Sequence, residues 1–407
     1  MKQNQCQVLI VGAGITGLTI ARELVNRGIG DILILEKERS LGLHASGRNS
    51  GVLHAGMYYT PDTLKAKHCV QGNRLMKKFC RQRGLTLNET GKVILATNPA
   101  EVGALYELKR RADLCGARVF LIDRKRLHEL EPHAAACSEA LFSPDTAVIR
   151  PIEVLKALEE ELPQSAKVTI CYETIFKGLW GERQAQTSRG VIRFEKFINA
   201  AGSYADHIAH QFGLAKEYKI LPFKGTYKKL TDNKISLVRG NIYPVPDLRT
   251  PFLGVHLTRT ADDEVLVGPT AMPAFSRENY HAFEGWGWET FLILFRDSVL
   301  MFKDRAFRQV ALTEPKKYLK RFVLKEARRL VPELSLHDLT ETDHVGIRPQ
   351  LIHWPTKSLV MDFIVLSDSN SLHILNPISP AFTTSLAFAR DMVAQLLGED
   401  GTTSGLQ

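Results

Sequence analysis

Cysteine is scarce and carries no pattern. The six thiols of the 407-residue chain, at positions 6, 69, 80, 115, 137 and 171, include no C-x-x-C pair, and no His/Cys cluster has zinc-finger spacing. A zinc module is therefore excluded, no metal ligand set is expected, and the thiols read as reduced groups in a reducing compartment. No stretch reaches the roughly 18 apolar residues needed to span a bilayer. Met1–Gln7 leads straight into an apolar segment, without a basic n-region, a long h-region or an Arg/Ser-rich leader. The expectation is a cytoplasmic chain, at most peripheral on the inner face of a membrane. There is no internal repeat at a solenoid period and no basic run of five or more residues. The second absence matters because 53 Lys+Arg stand against 44 Asp+Glu, a net charge of +9. That balance admits nucleic acid, an anionic membrane surface or an acidic small substrate, and its dispersal weighs against nucleic acid. With 44% apolar and 24% charged residues, collagen-like, low-complexity and disordered classes are excluded. The length allows about two or three structural units.

What is present begins at residue 8. Val8–Val11 is a continuous aliphatic run, the pattern of a buried parallel strand. Gly12-Ala13-Gly14-Ile15-Thr16-Gly17 follows, then a helical pattern through Leu24, a second strand Ile32–Leu35, and Glu36, which lies 22 residues after Gly14. This is the whole dinucleotide-binding unit: Gly12 for the tight turn, Gly14 for close approach of backbone to a pyrophosphate, Gly17 for helix–strand packing, and an acid for ribose hydroxyls. The helix N-terminus at Ile15 and Thr16 offers N–H groups to phosphate. The alternative is an ordinary tight strand–helix turn. No second G-x-G-x-x-G follows, so one dinucleotide is expected.

Further along, Lys167–Tyr172 and Arg193–Ala201 read as strands, the latter running into Gly202 and a helix to Gly213. Ala147–Leu162 reads as a helix approached through Arg150-Pro151. Residues 372–398 again give a strand, a Pro/Ser/Thr turn and a helix. Segments 1–78, 147–213 and 338–398 thus read as one α/β, Rossmann-like unit. Segments 79–146 and 214–337 read as an interleaved α+β unit on a mixed sheet, with alternating stretches such as Phe223–Leu230, and 399–407 as a frayed tail.

His44–Tyr59 is dense in small and polar residues, suited to close contact with a cofactor, and ends in two tyrosines. Here the chain resembles the L-2-hydroxyglutarate oxidase/dehydrogenase family, within the D-amino-acid-oxidase-like FAD oxidoreductases. The resemblance continues through Tyr59–Ala66, Gly72–Arg74, Ile242–Asp247, Pro251–Arg259 and Gly346–Gln350, over roughly residues 5–395. Thr226 stands where the family usually has an acid and Thr270 where it often has Asn. The resemblance implies FAD as cofactor, the first unit as the FAD-binding domain and the second as a substrate domain over the flavin. Besides the glycine turn and Glu36, it implies cofactor contacts from Lys37, Asn49, Ser50, Gly51, Ala201, Gly202, Gly346, Pro380 and Thr383. The implied reaction is oxidation of L-2-hydroxyglutarate to 2-oxoglutarate, by hydride transfer from C2 to flavin N5, with electrons passed to a quinone or other acceptor. An amino acid or glycerol 3-phosphate dehydrogenase, or a non-catalytic flavin-binding protein, are the alternatives.

Removing a hydroxyl proton calls for a base with a pKa near working pH, which favours histidine. His54, in the small-residue segment, and His256, in Gly254–Arg259, are the rival candidates, against the reading of each as structural. A dicarboxylate needs cationic or hydroxyl partners. Lys224, Arg259 and Arg348 are candidates, with Tyr58 and Tyr243 as donors. Finally, the stretch 283–308 carries Trp286, Trp288, Phe291, Phe295 and Phe302, followed by Lys303, Arg305 and Arg308. Two readings stand: a basic aromatic surface for an anionic membrane, giving access to quinone, or a buried helix pair.

Overall fold

The computed structural model describes residues 4–165, 167–247, 252–281 and 284–399. Pro251 and Phe283, and the tail from residue 400, lie outside them.

The strand Gln5–Val11 is apolar on both faces. Val8 and Ile10 pack with the helices Ile15–Asn26 and Ala381–Leu397, while Leu9 and Val11 pack with Phe194 and Phe197. Burial on both faces makes it the centre of a parallel sheet. It is flanked by Ile32–Leu35 and Gly190–Asn199; Val168–Cys171 and Ser371–Leu375 extend the parallel set. A hairpin, Phe176–Gly181 with Gln184–Thr187, and the strand Ile364–Ser367 add antiparallel pairs. All the carboxyl ends of the parallel strands therefore point to one edge, where ligands bind in such sheets.

The second sheet is built on two long antiparallel strands, Tyr218–Leu230 and Leu339–His353, paired from Tyr218 opposite His353 to Leu230 opposite Leu339. Val265–Gly268, His256–Arg259, Asn241–Pro244 and Lys92–Leu95 follow in order, then Ala140–Ser143 and Phe120–Ile122. Asn241–Pro244 runs parallel to Lys92–Leu95, so the sheet is mixed. The fold is α/β with two large sheets joined by interleaved segments, beside a small sheet of Val52–Leu53, Ala147–Ile149 and Leu87–Asn88.

Two expectations change here. Leu339–His353 was placed with the nucleotide-binding segments, but its whole length pairs with Tyr218–Leu230, so it belongs to the second sheet. Ala147–Ile149 is a strand against Val52–Leu53, and the helix begins only at Pro151, whose ring suits a first helical turn.

The helix Trp288–Lys303 buries only Thr290, Ile293 and Leu300. Trp288 is 88% exposed, Phe302 78%, Phe291 66% and Phe295 61%. The reading of this stretch as a buried helix pair does not hold. Among the described residues, no helix is long and apolar enough to cross a membrane.

Candidate active site

The glycine turn sits at the carboxyl end of Gln5–Val11. Gly12 has φ +106°, and a Cβ there would meet the Ala200 carbonyl oxygen at 2.5 Å. Gly17 packs from behind: its Cβ would meet the Gly12 oxygen at 2.0 Å. The helix Ile15–Asn26 has Gly14 as N-cap, with no side-chain cap from it. Its open end borders a cavity of about 690 Å³ lined by Gly12, Gly14, Ile15, Thr16 and Glu36. The Glu36 carboxylate accepts from the N–H groups of Ala13 and Glu38, both at 3.0 Å, which pins it beside the turn. Asn49, Ser50, Ala201, Gly202, Gly346, Pro380 and Thr383 line the same cavity. Gly346 has a reason to be glycine, since a Cβ would meet the Arg48 oxygen at 2.6 Å.

At the far end of the cavity stand His54, Tyr243, His256 and Arg348. The His54 backbone N–H donates to Thr383 Oγ1 (3.1 Å) and its Nε2 lies 3.3 Å from Ser379 Oγ, while its buried Nδ1 has no partner. His256 Nδ1 donates to the Gly254 carbonyl (2.8 Å), which leaves Nε2 with the lone pair. Its ring stacks on Tyr243 at 3.8 Å and 19°. Burial holds the His54 ring well below the usual histidine range and pushes His256 down to about 3, with the nearby Lys92 acting in the same direction on both. Both are uncharged at neutral pH. Arg348 lies over the Phe252 ring at 5.2 Å, its buried Nε has no partner, and burial pushes its guanidinium down to about 10. Among the described residues no carboxylate lies within salt-bridge reach of it.

A family model described as FAD dependent oxidoreductase matches residues 7–396. The chain belongs to this family. The L-2-hydroxyglutarate dehydrogenase of Escherichia coli K12 is 33% identical over 394 residues, 95% of this chain and 92% of its own length. The mitochondrial L-2-hydroxyglutarate dehydrogenases of Caenorhabditis elegans (35% over 412 residues, 96% and 93%) and Homo sapiens (32% over 406 residues, 94% and 86%) match similarly. Among solved structures, FAD-bound L-α-glycerophosphate oxidase of Mycoplasma pneumoniae superposes with a TM-score of 0.77 at 24% identity, covering 97% of this chain and 95% of that one. At that identity the likeness is one of fold.

The donor set fits the FAD of this family. The helix end, of whose first N–H groups Ser46 takes that of Ile15, and the glycine turn, where a Cβ at residue 12 has no room, can admit a pyrophosphate. Glu36 retains acceptor lone pairs for a ribose. Lys37 lines the same cavity, with its ammonium already engaged. Its ammonium is taken up by Glu38 and Glu278 (2.7 Å) and lies 2.8 Å from His44 Nε2. Glu38, His44 and Glu278 have metal-ligand geometry, with ligand atoms within 4.8 Å of one another, but they surround this ammonium. The Tyr204 hydroxyl donates to Glu278 at 2.6 Å, and Ser46 Oγ accepts from the Ile15 N–H at 3.0 Å. Sequence reasoning missed Ser46, Tyr204 and Glu278. Ser46 sat inside a flagged segment, whereas Glu278 arrives from 241 residues away.

Other expected residues point elsewhere. Phe223, Gly225 and Tyr227 line the cavity, so Lys224, between them on the strand, projects from the opposite face. Arg259 has opposite parity to His256. It pairs with Asp263 and donates to the Val238 carbonyl at 3.0 Å. Gly51 packs against the Ile149 oxygen, which a Cβ would meet at 2.2 Å, and does not line the cavity, nor does Gly17. Tyr58 is half-buried and does not line the cavity; its hydroxyl is buried and unpartnered. Between Tyr58 and Tyr243 lies a residue that was not expected at all, Lys92, 4.6 and 4.7 Å from the two ring centroids. Its only local signal was a charge opening the apolar run Val93–Leu95.

Proposed function

We propose that this chain oxidises L-2-hydroxyglutarate to 2-oxoglutarate. The observation that carries the reading is the end of the FAD cavity. Two uncharged histidines and a guanidinium without a counter-ion face one space, and the acids lining the cavity, Glu36, Glu38 and Glu278, stand at the nucleotide end. The relatives described above are each named L-2-hydroxyglutarate dehydrogenase. Bound FAD supplies the acceptor for the two electrons and the hydrogen that leave the substrate carbon. Arg348 binds a carboxylate through its open Nε edge and so orients the substrate. The hydroxyl proton passes to His256 Nε2 or to His54, each uncharged before substrate binds, and an arriving dianion offsets the burial that depresses them and strengthens them as bases. Thr270, which lines the cavity and pairs with the Thr226 hydroxyl at 3.0 Å, puts no negative charge against an acidic substrate.

Anaerobic addition of L-2-hydroxyglutarate to the holoenzyme should bleach the flavin absorbance. Bleaching by amino acids or glycerol 3-phosphate, with none by L-2-hydroxyglutarate, overturns the reading.

For the electron acceptor we infer a membrane quinone, reached by a chain docked peripherally on the inner face of the membrane. The support is the row of exposed aromatics on Trp288–Lys303 beside Lys303 and Arg305. Wild-type protein should float with anionic vesicles, and Trp288→Glu/Phe291→Glu should not. Wild-type protein that stays at the bottom of the gradient sinks the idea.

A further inference from the structure

We propose that Lys92 determines specificity for the second carboxylate: its ammonium, buried behind the Tyr243 wall of the cavity, supplies the charge that favours a 2-hydroxy dicarboxylate over a monocarboxylate. The proposal rests on the 2-hydroxy acid oxidation above and names the residue that selects within that class.

Lys92 opens the strand Lys92–Leu95 and is 1% exposed. Its Nζ makes no hydrogen bond, and among the described residues no carboxylate lies within salt-bridge reach. A buried ammonium with neither is strongly unfavourable unless something else meets it. The groups facing it do so only in part, through the π faces of Tyr58 and Tyr243, which carry no full charge. His54 and Tyr58 come from the His44–Tyr59 segment, Cys69 from the helix Leu64–Arg83, Tyr243 from Asn241–Pro244 and His256 from His256–Arg259. All are neutral at pH 7: the histidines are pushed down, the phenols up, and the Cys69 thiol up to about 12.

The unmet atoms lie near one another. His54 Nδ1, Tyr58 Oη, Lys92 Nζ and Arg348 Nε are all buried without hydrogen-bond partners, and the groups that carry them interact with one another directly or through Tyr59. Two cations, several donors and no carboxylate are the complement of an anion with two negative groups. Arg348 lines the cavity and takes one of them by contact. Lys92 acts on the other across Tyr243, through an interior in which charge is weakly screened. Burial pushes the ammonium down to about 7, so an arriving carboxylate draws it into its protonated form.

The test compares the holoenzyme and Lys92→Met on L-2-hydroxyglutarate and on its 5-amide, which has the same length and one charge fewer. The wild type should prefer the dianion. In Lys92→Met, kcat/KM for the dianion should fall about thirtyfold or more, the low end for loss of one partner of a buried charge pair. Most of the loss should appear in KM, with the amide changed less than about threefold. Lys92→Arg should keep the preference. Equal losses on both substrates, or no preference in the wild type, overturn the proposal. If Lys92→Met loses its flavin, the Lys92→Gln and Lys92→Arg pair decides: the same preference in both overturns it. Absence of hydroxyglutarate turnover in the wild type overturns the activity itself, a result visible without any variant.

Discussion

His54 and His256 line the same cavity, one from the segment that follows Val52–Leu53 and one from a strand of the second sheet. Only His256 has its tautomer set by a carbonyl, at Gly254. His54 is fixed instead through its backbone, by Thr383, and through Ser379. If each takes part in moving the hydroxyl proton, His54→Ala and His256→Ala should each lower turnover at least about a hundredfold, the low end for loss of a general base, with flavin still bound. Near-wild-type turnover in either removes that residue from the chemistry. Arg348→Ala should act on the other side of the ledger, raising KM with a smaller change in kcat; an unchanged KM would count against the carboxylate contact. The buried histidine also makes stability depend on pH. His256 is depressed to about 3 in the fold, against an ordinary value of 6.5, so between those values the unfolded chain binds the extra proton. Stability should therefore fall as pH drops from about 6.5 towards 3, by at most about 1.4 kcal/mol per pH unit for this one proton. Thermal unfolding of His256→Gln should show a shallower acid slope than the wild type. Identical slopes would show that the ring does not stay neutral.

At the scale of elements, the strand–turn–helix–strand–acid unit was legible because all its parts are contiguous. Gly12, Gly14, Gly17 and Glu36 need only local geometry to explain them. Lys224 and Arg259 were misjudged for the opposite reason. Each lies within two or three residues of a cavity-lining group, but a strand reverses face at every residue, and the face that meets the cavity is set by pairing across the sheet. Lys92 was invisible because a buried unpaired lysine runs against composition rules, and its neighbours Tyr58 and Tyr243 come from distant segments. The legible element is also the one whose failure is easiest to foresee. Gly12→Ala places a methyl 2.5 Å from the Ala200 oxygen at φ +106°, where both contact and dihedral are unfavourable. The purified variant should retain much less FAD than the wild type, measured as the ratio of flavin to protein absorbance. A full complement of flavin would show that the turn can relax.

Across the whole molecule, the two sheets are joined by the interleaved strands and also by one buried ion cluster. Arg277 is 2% exposed and follows Met272–Pro273, a short strand of the second sheet. It grips Asp206 with both amino groups, at 2.7 and 3.1 Å, on a helix of the nucleotide-binding side. Its Nε donates to Glu289 at 2.8 Å, in the first turn of the exposed aromatic helix. Asp206 also accepts from the Ile220 N–H at 3.0 Å, at the start of the long strand Tyr218–Leu230. One guanidinium thus ties together the cofactor domain, the second sheet and the inferred membrane-facing helix. Removing it leaves a buried carboxylate without a counter-charge of its own, held only by the Ile220 and His207 N–H groups, and Arg277→Met should cost about 3–5 kcal/mol. A general loss of packing could lower stability too, but it would not change the response to pH. In the wild type, the Arg277 guanidinium holds Asp206 below the usual carboxylate range, so this pair's contribution is present above the unfolded pKa and is lost on acidification. In Arg277→Met, desolvation, the largest influence on Asp206, is opposed only by Ile220 and His207, so the Asp206 pKa rises above its wild-type position. The folded variant then binds the proton at a higher pH than the folded wild type, and its deficit relative to the wild type should shrink as pH falls. Asp206→Asn added to Arg277→Met should recover part of the lost stability at pH 7. A deficit that stays constant with pH, together with no recovery in the double variant, would show that the cluster is held by packing and not by charge.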